Sequence, residues 1–475
     1  MGSGSVARAA IVPATKNRWL GLGAALLVAA AILAAPMPVG LTRPAYHLLV
    51  IIAFTVVLWM FQAMNNGVIS ILMMALMLLV PVRTPLVFSG FSTPQFWILL
   101  CVLFYGFAME RTGLAQRLSY YILSIFPATY AGVLLAFLVI GTTLALGIPS
   151  MTVRTAIVVP LASAIVQSLG LERQSRGSAL IMITAIEMAV LPGCAFLYGS
   201  LFGPVVDSLF QAKHLSLSWL GYARVMSFPA IVLCMLLLGA NLLLFRPESR
   251  LQLSPDFARK QLRALGPGKR SEWITAAVVL LSIAYWSTDR FHHLPGFLVG
   301  MFALSIFTLT GIVKDSDISG GVSWTLLLFM GGLLSLGNVL QEYKLTDWIA
   351  TLMVPAASHL TFSVVLFLLV MACAMFLLRF LDPSGFVAIP VLFLPIADMA
   401  TAAGIPPLVL VAPLILGAAP FWASYQNIWI AMGEGITGGG GFSAAQRVRY
   451  ASIYALATLA ALVIAVGYWK LIGVI

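Results

Sequence analysis

Two long apolar stretches of the chain, about 131–169 and about 361–400, are each interrupted near the middle by a Pro-Ser pair: Pro149-Ser150 in the first, Pro383-Ser384 in the second. Proline and glycine close together break a helix and free backbone polar groups. Inside a bilayer such groups are tolerated only where protein or a wet cavity surrounds them. The first interruption, "LGIPSMTVRTAIVVPL" (146–161), also places Gly147, Thr152 and a full positive charge, Arg154, in the apolar run. A charge at the bilayer centre costs roughly 2.5–3.5 kcal/mol on insertion scales, so it needs a reason to be there. If each stretch folds back at its Pro-Ser tip, it becomes a re-entrant helical hairpin that reaches mid-membrane and returns.

The bilayer is the right solvent for this reading. Of 475 residues 61% are hydrophobic and only 9% charged, which no soluble globular domain matches. Further apolar segments long enough to span run at about 19–35, 46–64, 66–81, 96–112, 177–200, 225–245, 273–289, 296–312, 322–340, 404–430 and 449–472. The opening MGSGS reads as a vector-derived remnant at the head of a cytoplasmic tail, 1–18, and the run from Trp19 reads as a retained helix, not a cleaved signal. The net charge of +11 is spread over short loops, which is the positive-inside pattern and excludes a nucleic-acid partner. Cys101, Cys194, Cys234 and Cys373 lie far apart in apolar segments and read as small buried hydrophobes.

Charge asymmetry fixes the expected topology. With a cytoplasmic N-terminus and two hairpins, Arg111, Arg117, Arg173, Arg176, the run from Arg246 to Arg270, Lys314, Arg447 and Arg449 all fall on the cytoplasmic side. If the first stretch spanned instead, Arg173 and Arg176 would cross to the wrong side. The polar segment 246–272 is a cytoplasmic linker between an N-terminal half, 19–245, and a C-terminal half, 273–475.

The halves resemble each other. "WILLCVLFYGFAMERTGL" from Trp97 and "WTLLLFMGGLLSLGNVLQEYKL" from Trp324 each lead into an amphipathic stretch (Leu114, Leu118, Ile122; Leu345, Ile349, Met353). An interrupted hairpin follows, then a helix with a second break: Leu191-Pro192-Gly193 in one half, "GAAPFWASYQN" (417–427) in the other. An odd number of crossings separates the halves, so their orientations are inverted. Inverted repeats with paired broken helices predict a secondary transporter with its site at the midplane.

This order of elements resembles the divalent anion–sodium symporter family, which carries di- and tricarboxylates. The resemblance implies an all-α integral membrane fold, an elevator motion of a hairpin-bearing transport domain against a scaffold of the first helices, and a homodimer. In the family the hairpin tips carry Ser-Asn-Thr, and the Asn side chains with tip and break carbonyls hold sodium and substrate carboxylates. Here the tips read Ser150-Met151-Thr152 and Ser384-Gly385-Phe386, and the second break keeps only Ser424 and Asn427 of the family's Thr-Pro-Pro-Asn motif. Met151 and Gly385 cannot supply the tip amide, which predicts weaker sodium dependence than the family norm. Backbone carbonyls can still hold a hard cation, which needs only oxygens. Na+, H+ or a counter-anion all remain open for coupling.

The expected substrate-binding set is Ser150, Met151, Thr152, Arg154, Ser384, Gly385, Ser424 and Asn427, with Gly147, Ser150, Gly193, Ser384, Ala419 and Glu187 as coupling-ion candidates. Arg154, one turn past its tip, has two readings: a fork for a substrate oxyanion, or an ion pair with Glu187. Glu187 is also a candidate proton carrier. Arg379 and Asp382, three apart, read as a local ion pair on one helix face. Phe386, Phe421, Trp422 and Tyr425 crowd the second-half breaks as packing, or as the wall of a smaller or more apolar pocket. "GEGITG" (433–438) matches a dinucleotide fingerprint but lacks a βαβ unit, and with Gly439 to Gly441 it reads as a flexible cytoplasmic turn. The histidines are scattered, and no metal or catalytic cluster supports an enzyme. The predicted function is secondary transport of a small organic anion, di- or tricarboxylate-like, across the cytoplasmic (inner) membrane. An inorganic oxyanion permease is the alternative, and an anion channel a weaker one.

Overall fold

The computed structural model describes residues 15–247, 254, 256–358, 363–380, 382, 385–423 and 426–475. All regular structure among them is helical. In chain order the longer helices are α1 (Thr15–Ala34), α2 (Arg43–Met60), α3 (Asn66–Met77), α4 (Pro94–Thr112), α5 (Leu114–Ile125), α6 (Tyr130–Gly147), α7 (Met151–Ser168) and α8 (Arg176–Val190). After a 3-10 turn at Leu191–Ala195 come α9 (Phe202–Ala212), α10 (Trp219–Leu244), α11 (Phe257–Ala264), α12 (Arg270–Ser287) and α13 (Phe297–Leu309). The remainder are α14 (Trp324–Glu342), α15 (Leu345–Ser358), α16 (Val364–Leu378), α17 (Ala388–Ala402), α18 (Pro407–Leu416), α19 (Ile428–Ile436) and α20 (Ala444–Leu471).

Among the described residues, 7 helices are long and apolar enough to cross a bilayer: α2, α6, α7, α8 with its turn, α10, α14 and α20. The pair α4–α5, bent by 70°, makes up to 8. Gly113 takes that bend with φ +86° and ends α4 in a left-handed cap. Leu27, Leu243 and Leu309 stand on the outside, as lipid-facing leucines do. Several expected spans are shorter than the sequence suggested. Segment 66–81 gives a helix of 12 residues and 296–312 one of 13. Segment 404–430 gives α18 and α19 with a break between them, because Gly417 caps the first run and Pro420 cannot continue it.

The chain divides into two compact units, residues 1–91 with 323–348, and residues 92–322 with 349–475. In the first, α14 packs along α3, and α1 along α2. In the second, α8 is the axis: its span is 100% buried, and it packs along both α6 and α7. Around it, α10 packs against α20 and against the 3-10 turn, while α16 packs against α18 and α20. Serines start the key helices. Ser150, Ser175, Ser218 and Ser363 each accept the N–H three residues on, which satisfies a donor that the first turn leaves free.

The linker is tied down on one side. α11 docks on α5, and Arg117 of α5 donates to the carbonyls of Gly266 (2.9 Å) and Pro267 (3.3 Å) while pairing with Glu272. The hydrogen bond from Arg117 holds the Glu272 carboxyl below its ordinary value of 4.5. The glycine turn at the end of α19 is pinned too, contrary to its reading as flexible. The carbonyls of Gly438, Gly439 and Gly441 accept from Arg173, Gln174 and Ser178. Glycine fits there because Gly438 and Gly439 sit at positive φ, and their freed carbonyls meet a polar loop.

Candidate functional site

The interruption between α6 and α7 is the three residues Ile148 to Ser150. Ser150 is the N-cap of α7, its Oγ accepting from the Val153 N–H at 3.3 Å. Ser150 and Met151 are buried and Thr152 is half-buried. Gly147 packs so closely that a Cβ there would lie 2.8 Å from the Met109 sulfur. One turn into α7, Arg154 is 0% exposed.

The Arg154 guanidinium goes to the first break. Nη1 donates to the Gly199 carbonyl at 2.6 Å and Nη2 to the Val190 carbonyl at 3.2 Å. Val190 is the last residue of α8 and Gly199 lies in the loop after the 3-10 turn, so the helix ladder does not claim either carbonyl. Gly193 is what lets the arginine in. A Cβ at that position would lie 2.2 Å from the Gly199 oxygen and 2.5 Å from Arg154 Nη2. The expected alternative partner, Glu187, makes no ion pair with Arg154. Its carboxylate takes a long 3.4 Å hydrogen bond from Asn241 Nδ2 instead. The break supplies neutral carbonyls nearer to the guanidinium than any carboxylate, and they take its donors.

The second half repeats the device with different residues. Arg379, also 0% exposed, caps the end of α16, so it and Asp382 do not share a helix face as their spacing suggested. Its Nη1 donates to the Asp382 main-chain carbonyl at 2.6 Å. Its Nη2 donates to Asn427 Oδ1 at 2.7 Å and to the Gln426 carbonyl. The Asp382 carboxylate turns the other way and accepts the N–H groups of Val387 and Ala388, each at 2.9 Å. Gly385 lies at φ +73°, a left-handed turn that favours glycine, with the Arg379 guanidinium beside it. Asn427 completes the knot by donating from Nδ2 to the Ala419 carbonyl at 2.7 Å.

The structure therefore joins Arg154 to Gly193, and joins Gly385 through Arg379 to Asn427 and Ala419; Ser150 and Met151 are near Arg154 in sequence on the same turn of α7. Ser384 and Ser424 lie outside the described residues, as does Tyr425. Between the two groups, Phe202 at the start of α9 meets Phe386 with ring centroids 4.9 Å apart, and the 3-10 turn packs against α18. Tyr222 donates to the Cys194 carbonyl in the first break, and Tyr454 to the Leu416 carbonyl at the edge of the second. Phe421 packs on Tyr450, and Trp422 stacks on Phe380. Glu187 stands one turn before the first break, with Asn241 of α10 and Tyr450 of α20. Among the described residues no group of three or more His, Cys, Asp or Glu side chains is placed to hold a metal ion. Sequence reasoning missed Arg379 and Gln426 as members of the site. Position was the available signal, since Arg379 stands five residues before Ser384 as Arg154 stands four after Ser150.

Comparison with known proteins agrees with this architecture. The sequence profile of the sodium:sulfate symporter transmembrane region matches residues 16–475. Dicarboxylate transporter 1 of Arabidopsis thaliana chloroplasts is 24% identical over 383 residues, covering 78% of this chain and 68% of its own. The inner membrane protein YbhI of Escherichia coli is 23% identical, covering 78% and 80% respectively, and the putative malate transporter YflS of Bacillus subtilis is 23% identical over 68% and 70%. The crystal structure of the Alcanivorax borkumensis YdaH transporter, described as having an unusual topology, aligns with TM-score 0.55 at 14% identity over 96% of this chain and 97% of that one, a likeness of fold. The chain belongs to the sodium:sulfate symporter family: it is a multi-pass integral membrane transporter of anions and not an enzyme.

Proposed function

We propose that this family member carries a small organic anion of the di- or tricarboxylate class across the cytoplasmic membrane, driven by an ion gradient or by exchange. The observation that carries the reading is the pair of buried arginines, each tying a tip-bearing segment to the break in the same half. In this arrangement α6 and α7 are the arms of one re-entrant hairpin, and α16 and α17 those of the other. Packing supports it: α8, about 22 Å long, lies along both α6 and α7, which two end-to-end helices of 18 residues would not permit. The relatives named as dicarboxylate and malate transporters point to the substrate class.

In the mechanism, Arg154 and Arg379 hold the broken segments in register. Substrate carboxylates are met by the tip of α7, where Ser150, Met151 and Thr152 open a helix with its positive dipole end forward, and by Ser384, Gly385, Ser424 and Asn427 in the second half. Of the coupling-ion positions expected from the sequence, Gly147, Ser150, Gly193, Ser384 and Ala419 belong to the same segments, and Glu187 stands one turn before the first break. The hairpins and breaks move together against the first helices, elevator-fashion, in a homodimer with a cytoplasmic N-terminus. Purified protein in liposomes loaded with unlabelled malate takes up radiolabelled malate by counterflow on this reading, and succinate and citrate compete. Sulfate as the effective competitor, with no effect of carboxylates, would replace it with the inorganic oxyanion reading.

A further inference from the structure

We propose that Glu187 is a proton-binding site through which transport is coupled to a proton gradient, an inference that rests on the transport reading above. Glu187 is only 5% exposed, in the last turn of α8, whose membrane-spanning window is buried throughout. Three helices build its surroundings: Thr184 on α8, Asn241 on α10 and Tyr450 on α20. Asn241 spends its amide N–H groups on Thr184 Oγ1 (2.9 Å) and Glu187 Oε2 (3.4 Å). That leaves Glu187 Oε1 and Asn241 Oδ1 buried with no well-formed hydrogen bond, and the Tyr450 hydroxyl facing the carboxyl without closing a bond of good geometry to it. The groups that face the carboxyl from neighbouring elements are Tyr450 and Tyr454 of α20 and Cys234 of α10. None of them is a cation, and Arg154 is committed to the Gly199 and Val190 carbonyls.

An ionised carboxylate sealed away without a cation is costly, and a proton removes the charge. The proton also supplies what the cluster lacks. Ionised glutamate only accepts hydrogen bonds, as from the Tyr450 hydroxyl, whereas the acid adds one O–H donor for Asn241 Oδ1, a pure acceptor left without one. A sodium or calcium ion suits the place less well, because hard cations of that kind take about six or more oxygens. Position gives the proton something to do. Val190, whose carbonyl Arg154 holds, is one turn beyond Glu187, and the Leu191 N–H that opens the 3-10 turn is bonded to the Glu187 main-chain carbonyl. The O–H bond forms on the side of higher proton activity, travels with the anion, and breaks on the other side.

The test uses full-length protein in liposomes with radiolabelled malate as probe and entrapped pyranine as pH reporter. Malate counterflow without any gradient is measured first, and its absence for malate, citrate and sulfate alike would overturn the transport reading and this proposal with it. Given counterflow, an acid-outside gradient should raise wild-type malate accumulation by about tenfold per pH unit, with pyranine reporting proton entry alongside malate. Glu187→Gln, whose amide keeps a neutral donor, should retain counterflow and lose the stimulation, and Glu187→Asp should regain part of it. Malate uptake under the acid-outside gradient with no proton entry in the wild type, or full stimulation in Glu187→Gln, would overturn the proton site and leave the transport reading standing. A wild-type pyranine trace with no proton entry under the acid-outside gradient overturns the proposal even if Glu187→Gln does not fold, and Glu187→Asp then carries the assignment to this residue.

Discussion

Arg154→Gln removes the one cation that the first half places at its break, and the structure gives the size of the loss. The guanidinium serves two carbonyls, Gly199 at 2.6 Å and Val190 at 3.2 Å, in a position with no exposed surface. Glutamine is too short to reach both, so each carbonyl loses its charged donor at about 1–3 kcal/mol. The variant no longer has to bury a charge, which offsets part of that loss and leaves a net destabilisation of about 3 kcal/mol. At about 2 °C per kcal/mol the melting temperature falls by roughly 6 °C. Arg154→Lys keeps the charge but serves fewer acceptors from its single nitrogen, so it should fall about halfway. The measurement is tryptophan-fluorescence melting of the detergent-purified protein at one fixed scan rate, because unfolding of such chains is commonly irreversible.

Adding Glu187→Gln to Arg154→Gln separates the two roles once assigned to this arginine. With no ion pair between them the effects should add, to within about 0.5 kcal/mol. A melting temperature for Arg154→Gln within about 1 °C of wild type, or its recovery in the double variant, would refute the view that this guanidinium holds the break.

Gly193→Ala places a Cβ 2.5 Å from Arg154 Nη2, so it should abolish malate counterflow, and its melting shift should not add to that of Arg154→Gln. Asn427→Leu removes the acceptor for Arg379 and the donor to the Ala419 carbonyl, and should lower the melting temperature by an amount corresponding to about 2–3 kcal/mol. Because the folded-state Glu272 carboxyl lies below 4.5, its stabilisation is complete above that value and lost as pH falls through the folded value. Amide hydrogen exchange in 257–264, corrected for intrinsic rate, should therefore stay flat from neutral to mildly acidic pH and rise only in acid below that point. Malate uptake in sodium should differ little from uptake in choline, and steep saturable sodium dependence would show that carbonyls and serines suffice without the tip asparagines.

The breaks were legible in the sequence because they are local. Pro149-Ser150 and Leu191-Pro192-Gly193 carry their own helix-ending chemistry, and α7 begins where Ser150 caps it. Periodicity gave α5, whose Leu114 and Ile122 are buried as expected. The partners of the buried charges were not legible. Charge alone offered Arg154 a substrate oxyanion or Glu187, and Arg379 the Asp382 carboxylate, since sequence displays side-chain charge and hides main-chain carbonyls. A broken helix releases those carbonyls, and in a dry interior they compete well for a guanidinium. Span lengths failed for a related reason: hydropathy sees Gly417 and Pro420 as mild interruptions, yet α18 ends at Gly417 after 10 residues.

On the proposed transport reading, the two arginines also account for one site built from halves whose motifs barely match. Arg154 follows its Pro-Ser pair and Arg379 precedes the other, so no alignment of the halves superimposes them. Each nevertheless reaches the break of its own half, one through the carbonyls of Val190 and Gly199, the other through Gln426 and Asn427. A guanidinium fixed to the chain and a mobile cation compete for the same kind of oxygen. On the proposed mechanism, carbonyls already engaged by a tethered donor favour a diffusing cation less than free ones would, because the cation must displace bonds the fold has made. Coupling then falls to whatever buried charge stays unmatched, and in the described part of α8 that group is Glu187.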